Sequence, residues 1–392
     1  MTREYPPHIV GGIATHTFHL REHLSRLGVE AHVVSFGNPA SGNSHVTFVR
    51  PASSIIDREN RGALPNSAVP YDLIRFTLMV REMLKRHGYD VLHVQEPYVG
   101  GLLTARNKVT TIHDTSLGEL DSMMTASGLA RKSIVRAGFY LTLGLAMEYA
   151  SIANSREIIV PSEQVREELV NRYGADSRKV HTIGNGVEPF NRYMHLSKDE
   201  AKEKLGVRDG KMLVFTTGQH VARKRFDVLL MACQLLGKKG ALDGYDVRIG
   251  GEGPLTKPLV SQAASLGLNG NVSFVNWLGR AELELHYRAA DLFVVSSDYE
   301  SGPIAMLEAM TAGTPTISTR IPGFAALCRH GEEAYLVPRR DPSAMAEAIG
   351  VLADDEGLRL RLADGGRNFA GKFSWDKVAQ QTLALYERVV AG

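Results

Sequence analysis

Two carboxylates stand eight positions apart in the run Ser297-Asp298-Tyr299-Glu300-Ser301-Gly302-Pro303-Ile304-Ala305-Met306-Leu307-Glu308. Glu300 precedes a small-residue turn and Glu308 lies inside the helical run that follows. The apolar stretch Leu292-Phe293-Val294-Val295 ahead of them reads as a strand, and Gly313-Thr314-Pro315 ends the helix. This order places both carboxylates at the carboxyl end of a parallel strand, where open α/β sheets bind ligands. A carboxylate there can take sugar hydroxyls through charge-assisted hydrogen bonds. Two solvated glutamates on a helix flank are the alternative that the segment alone leaves open.

Other residues of chemical interest sit at similar places. Thr216-Thr217-Gly218-Gln219-His220-Val221-Ala222-Arg223-Lys224-Arg225 follows a strand and opens a helix, and its cations suit a diphosphate. Gly250-Gly251-Glu252-Gly253-Pro254 follows another strand as a tight turn that lets a nucleoside approach, without the spacing of a dinucleotide fingerprint. Gly11-Gly12 before a helix offers backbone N–H groups to an anion. His113, in Thr111-Ile112-His113-Asp114, stands just past a strand end, as do His93, Gln95 and Glu96. A structural role is the competing reading for each of these. Metal chemistry is poorly supported, since the chain has no Asp-x-Asp pair, no His-Glu-x-x-His and no His/Cys cluster. Departing phosphate would then be stabilised by cations and backbone donors.

The elements that must position these groups alternate strand, turn and helix. In the first half, strands are expected at 31–35, 90–94, 108–112 and 157–160, with helices at about 15–27 and 162–173. A second series of strands runs at 212–216, 246–249, 272–274, 292–295 and 316–318. The pattern predicts two Rossmann-like, doubly wound parallel α/β domains, 1–187 and 188–374. An amphipathic helix in 375–392 is expected to return to the first domain. Polar Met1-Thr2-Arg3-Glu4 stands where such a domain opens with an apolar strand, so either that strand is absent or the start lies upstream.

Composition is that of an ordinary globular protein: 392 residues, 44% hydrophobic, 22% charged, formal net charge +2. That balance argues against a nucleic-acid partner. Cys233 and Cys328 stand far apart and read as inert core thiols in a reducing compartment. The polar, proline-containing start shows no signal peptide, and a cytoplasmic location is the expectation. The stretch 137–153 is interrupted by Glu148 and reads as a half-buried helix. Contact of Arg131, Lys132 and Arg136 with anionic lipid at the inner membrane face is its alternative.

Taken in order, these segments resemble the retaining, sugar-nucleotide-dependent glycosyltransferases of the GT-B fold, family 4. The resemblance rests on Glu300-x7-Glu308-Ala309-Met310 with Gly313-Thr314-Pro315, on Glu4-Tyr5-Pro6-Pro7 with Gly11-Gly12, and on Thr111-Ile112-His113-Asp114. Pro161-Ser162-Glu163, Asn185-Gly186-Val187-Glu188, Arg223-Lys224 and Gly251-Glu252-Gly253-Pro254 complete it. It implies that a nucleotide sugar (UDP-, GDP- or ADP-linked) lies between the domains, with no further cofactor and no metal. Glu300 would meet the sugar and Glu308 the ribose. Arg223 and Lys224 would hold the diphosphate with backbone N–H groups at Gly12, Ile304 and Ala305, Gly251 would let the nucleotide approach, and His113 would sit beside the sugar. Main chain near Trp277 and Leu278 would meet the base. The acceptor, a glycan, lipid or small molecule, would be read by loops 60–70 and 121–131. Gln219 stands where many members carry arginine, so one phosphate cation is missing unless Arg223 or Arg225 substitutes, and Pro303 stands where glycine is common. A catalytically idle binding or partner subunit of the same fold is the alternative function. A nicotinamide-dependent oxidoreductase is disfavoured by the glycine spacing.

Overall fold

The computed structural model describes residues 1–8, 12–51, 69–124, 138, 140–322 and 327–392. It divides into two compact units, residues 1–186 with 374–392, and residues 187–373.

In the first unit, α1 (Gly12–Arg26) precedes the parallel pair β1 (Val33–Phe36) and β2 (Val46–Val49). Next come α2 (Val69–Arg86), β3 (Leu92–Val94), β4 (Lys108–Thr111), α3 (Ser116–Met124), α4 (Leu145–Asn154), β5 (Glu157–Val160), α5 (Glu163–Tyr173) and β6 (Val180–Thr182). Strands β3-β4-β5-β6 form a second parallel sheet in that order. Local chemistry sets the helix ends. Ser162 caps α5 by accepting the Val165 N–H, and Gly174 closes it at φ 68°, a left-handed conformation that glycine adopts without strain.

Between the two sheets run Met1 and Thr2. The Thr2 N–H donates to Val34 O at 3.0 Å, the Met1 ammonium donates to His93 O at 2.8 Å, and Met1 O accepts the Gln95 N–H at 2.8 Å. These two residues stand where an apolar opening strand was sought. Along the same seam lies a cavity of about 1080 Å³ lined by Leu20, Leu24, Val33, Val34, Val80 and Leu92 among others. Burial pushes the Met1 amine down to about 5, against the opposing pull of Glu96.

The second unit contains β7 (Met212–Thr217), α6 (Phe226–Lys238), β8 (Tyr245–Gly250), α7 (Thr256–Ser265), β9 (Val272–Phe274), α8 (Arg280–Ala289), β10 (Leu292–Val295), α9 (Ile304–Thr311), β11 (Thr316–Thr319), β12 (Tyr335–Val337), α10 (Pro342–Asp354) and α11 (Glu356–Ala370). All its strands are parallel, in the order β9-β8-β7-β10-β11-β12. Strand order therefore reverses between β7 and β10, which makes that junction the topological switch point. Helices bury both faces. Leu229, Leu230, Val294 and Ile349 belong to one core, and Phe215, Phe293, Met306 and Met310 to the other. This explains why all four residues of β10 are apolar and buried, each such side chain contributing roughly 1.5–3 kcal/mol.

Helix α12 (Trp375–Ala391) belongs to the first unit, where Val378, Leu385 and Val389 share a core with Leu20 and Leu24 of α1. Three strands escaped the pattern read from the residues: β2, β6 and β12. β6 and β12 are only three residues long, and β6 is buried at one residue alone, too little for periodicity to register. Cys233 and Cys328 are both buried, and burial pushes each thiol up to about 12. Among the described residues no helix is long and apolar enough to cross a membrane. Glu148 of α4 is buried and binds the Ser116 N–H at 2.7 Å and the Tyr173 hydroxyl at 2.6 Å. Arg131, Lys132 and Arg136 lie outside the described residues.

Candidate functional site

At the switch point of the second unit, three loops meet at the carboxyl ends of β7, β8 and β10. The first two interlock through backbone. Gly218 N–H donates to Gly250 O at 3.1 Å and His220 N–H to Glu252 O at 3.0 Å. A Cβ on Gly251, whose φ is 105°, would fall 2.1 Å from Gly218 O, and one on Gly253 would fall 2.6 Å from His220 O. The glycine-rich turn is thus demanded by close backbone approach. Gly251 N–H also reaches Asn276 O, and the Leu278 side chain packs on Gly250, so loop 275–278 joins the same mouth. Trp277 is 42% exposed there.

After β7, Ala222–Lys224 forms a single 3-10 turn that presents two cations. Both meet Glu300, which follows β10 and is only 5% exposed. Lys224 Nζ donates to Glu300 Oε1 at 2.6 Å, Arg223 Nη1 to Oε2 at 3.2 Å, and Ser297 Oγ to Oε1 at 2.6 Å. Burial by itself would raise the Glu300 carboxyl. Lys224 and Arg223, with the bonds from Lys224 and Ser297, outweigh it and hold the group below the usual carboxylate range. A cavity of about 20 Å³, lined by Thr216, Lys224, Ser297, Glu300 and Ala305 among others, lies alongside, room for about one water.

Glu308 has different company. It projects from α9 and is 9% exposed, accepting hydrogen bonds from Arg280 Nη1 at 2.9 Å and the Tyr287 hydroxyl at 3.1 Å. Burial raises its carboxyl, and Arg280 and Tyr287 only partly offset that. Arg280 lies over the Phe190 ring at 4.1 Å and donates to Glu188 O at 3.1 Å, so its position is set from three sides. The motif reading missed Arg280 and Tyr287. Their seven-residue spacing on one face of α8 was the available signal.

Ile304 and Ala305 open α9, whose first-turn N–H groups lack intrahelical acceptors. Ile304 N–H already donates to Gly302 O at 2.8 Å. That engagement leaves the Ala305 N–H as the better placed of the two for an anion. Arg225 does not stand in for the cation missing at Gln219. Its guanidinium is bidentate to Asp227 and also binds Asp298 Oδ2 at 3.0 Å, because its backbone at φ 50° turns it away from Arg223 and Lys224.

Gly12 and His113 belong to the first unit. Gly12 is exposed at the start of α1, and Gly11 lies outside the described residues. His113, beyond the end of β4, is buried beside Gln95, whose Oε1 is 3.4 Å from its Nε2. Burial, then His93, lowers it to about 3, so its imidazole is neutral at physiological pH. His16 packs edge-on against it with ring centroids 4.6 Å apart, and its Nδ1 is 2.9 Å from Asn185 Oδ1. His93 is occupied by Thr111 and Tyr386. Most of loop 60–70, and residues 125–131 of the second acceptor loop, lie outside the described residues.

Comparisons with known proteins bear on the family and the fold. Residues 197–369 match the family model described as glycosyl transferases group 1, and residues 10–189 match glycosyltransferase family 4. The D-inositol 3-phosphate glycosyltransferase of Geodermatophilus obscurus is 30% identical over 82% of this chain and 72% of its own. Among solved structures, sucrose-phosphate synthase from Thermosynechococcus elongatus superposes with a TM-score of 0.78 at 21% identity, covering 97% of this chain and 94% of that one. HepE of Anabaena, solved with UDP-glucose, gives a TM-score of 0.72 at 16% identity over 100% of this chain and 98% of its own. These neighbours share the GT-B fold with this chain.

Proposed function

The chain belongs to the group 1 glycosyltransferases, and from that premise we propose that it moves a hexose-type sugar from a nucleoside-diphosphate sugar to an acceptor with retention of configuration. The observation that carries the reading is the contact of Glu300 with both Lys224 and Arg223 at the switch point of the second unit. Without ligand, the carboxylate neutralises the two cations. An incoming diphosphate competes for Lys224 and Arg223, which supply point-charge and forked contacts to phosphate oxygens. Glu300, released, then has its oxygens free for sugar hydroxyls. Glu308, held by Arg280 and Tyr287, keeps lone pairs for the ribose hydroxyls. Main chain at 276–278 meets the base.

In the transfer itself, the bond from the anomeric carbon to the phosphate oxygen breaks. The acceptor oxygen forms its bond to that carbon on the same face, and the acceptor proton passes to the departing phosphate. Lys224, Arg223 and the Ala305 N–H stabilise the developing phosphate charge, work for which no metal is invoked. Neutral His113 suits a hydrogen bond to a sugar hydroxyl rather than an ion pair. The acceptor is a glycan, lipid or small molecule.

Thermal melting against UDP-, GDP- and ADP-sugars tests the sugar-donor assignment, because a ligand bound only by the folded state raises the melting temperature. UDP-glucose comes first in that panel, as the ligand of HepE. We expect one nucleotide class to stabilise the protein and to be turned over. Stabilisation without release of the nucleoside diphosphate, across acceptors of all three classes, would replace this reading with that of an idle binding subunit.

A further inference from the structure

Left-handed backbone is uncommon outside glycine. Outside glycine it occurs in the second unit at Arg225 (φ 50°), Asn276 (φ 48°) and Arg340 (φ 58°), and the two arginines reach one atom. Arg225 Nη1 donates to Asp298 Oδ2 at 3.0 Å, and Arg340 Nε donates to the same oxygen at 2.8 Å. Arg225 also binds Asp227, with Nε to Oδ1 at 2.9 Å and Nη2 to Oδ2 at 2.9 Å. Asp298 is 3% exposed, and its Oδ1 accepts no hydrogen bond from a described residue. Glycine at 225 or 340 would adopt these dihedrals without strain. An apolar residue at 298 would avoid the desolvation cost of a buried ion. Stability alone therefore does not account for two strained arginines on one buried carboxylate.

Their position does. Asp298 N–H donates to Arg223 O at 2.8 Å, and Ser296 Oγ donates to Lys224 O at 2.8 Å. The 222–225 turn is thus laced to the 296–300 loop by one backbone and one side-chain hydrogen bond, and Arg225 and Arg340 on Asp298 tie the same two segments to the residues after β12. Arg223, Lys224 and Glu300 project from the laced segments. Asp227 and Asp298 match the charges of Arg225 and Arg340, so the cations of the turn that meet Glu300 are Arg223 and Lys224.

We propose that Arg225, Asp298 and Arg340 are positioning residues that set the spacing of Lys224 and Arg223 against Glu300, and so the fit of the site to a diphosphate; this rests on the nucleotide-sugar reading above. Lose the cluster and the fold survives, while the cations lose their register.

Calorimetric titration with UDP, GDP and ADP and with the matching nucleosides, alongside melting, tests this. Arg225→Gly is the informative variant, since it relieves the backbone while removing the clamp. It is expected to remain folded, with the loss of the ion pairs set against the relief of the backbone, and to bind the preferred diphosphate about tenfold more weakly with nucleoside binding unchanged. Asp298→Asn should move the same ratio, and should add little in the Arg225→Gly background. Wild-type diphosphate affinity in Arg225→Gly overturns the proposal. So does an equal loss for diphosphate and nucleoside with a lower melting temperature, which marks a folding role. A wild-type protein that binds none of the three diphosphates removes the nucleotide-sugar reading itself, and the clamp with it.

Discussion

Glu300 and Glu308 lie on either side of the same turn, are almost equally buried, and have opposite electrostatics. Two cations and a hydroxyl surround Glu300 and pull its carboxyl down. One half-exposed arginine and one phenol face Glu308, and burial prevails. The difference lies in what each carboxylate is free to do. Glu300 is part of a charge-compensated cluster that, in the function proposed, an incoming diphosphate opens. Glu308 is fixed by neighbours that leave it as an acceptor in place.

The largest effect that would sharpen this contrast is Glu300→Ala. Transfer should fall by about a thousandfold, the scale of losing one oriented group in the transition state. Binding of the nucleoside diphosphate should hold or tighten, because the carboxylate no longer competes for Lys224 and Arg223. Calorimetry and turnover on one preparation read both, and transfer at the wild-type rate would end the assignment. Next is Lys224→Ala, which should weaken the diphosphate about 10- to 100-fold while leaving the nucleoside nearly unaffected. Equal losses would mean that Lys224 does not meet phosphate.

The smallest effect is one of pH. Glu300 is depressed in the fold, so its contribution to stability is present above its unfolded value and disappears as pH falls through the lower folded one. Glu308 is raised, so its effect has the other sign: stability is relatively greater at low pH and declines as pH rises through the folded value. A protonated Glu308 also spends one oxygen on its own hydrogen. Nucleotide affinity should therefore drop on acidification above the range in which Glu300 titrates. Glu308→Gln should weaken binding about tenfold and flatten that limb. An acid limb unchanged in this variant would locate the titration elsewhere.

Much of this site was legible from residue order. An apolar run, a small-residue turn and a helical run bounded by Gly313-Thr314-Pro315 announce a strand, a loop and a helix, and parallel-sheet geometry puts that loop at the ligand end. Glycines 251 and 253 likewise marked a close approach. The partners of each carboxylate were not legible. Arg280 and Tyr287 reach Glu308 from a different helix, and Arg340 reaches Asp298 from beyond β12. Arg225 looked like a phosphate cation because charge alone does not reveal where a left-handed backbone aims a side chain.

What the chain determined by itself is therefore local: where strands end, where glycine must stand, and which titratable groups hang at those ends. Periodicity and turn chemistry act over a few residues and can be read along the sequence. Which carboxylate is paired, which is poised and which arginine is committed were decided by tertiary structure. Those outcomes depend on burial and on charges brought within about 3 Å from distant segments, where desolvation and Coulomb attraction nearly cancel and a single neighbour settles the sign.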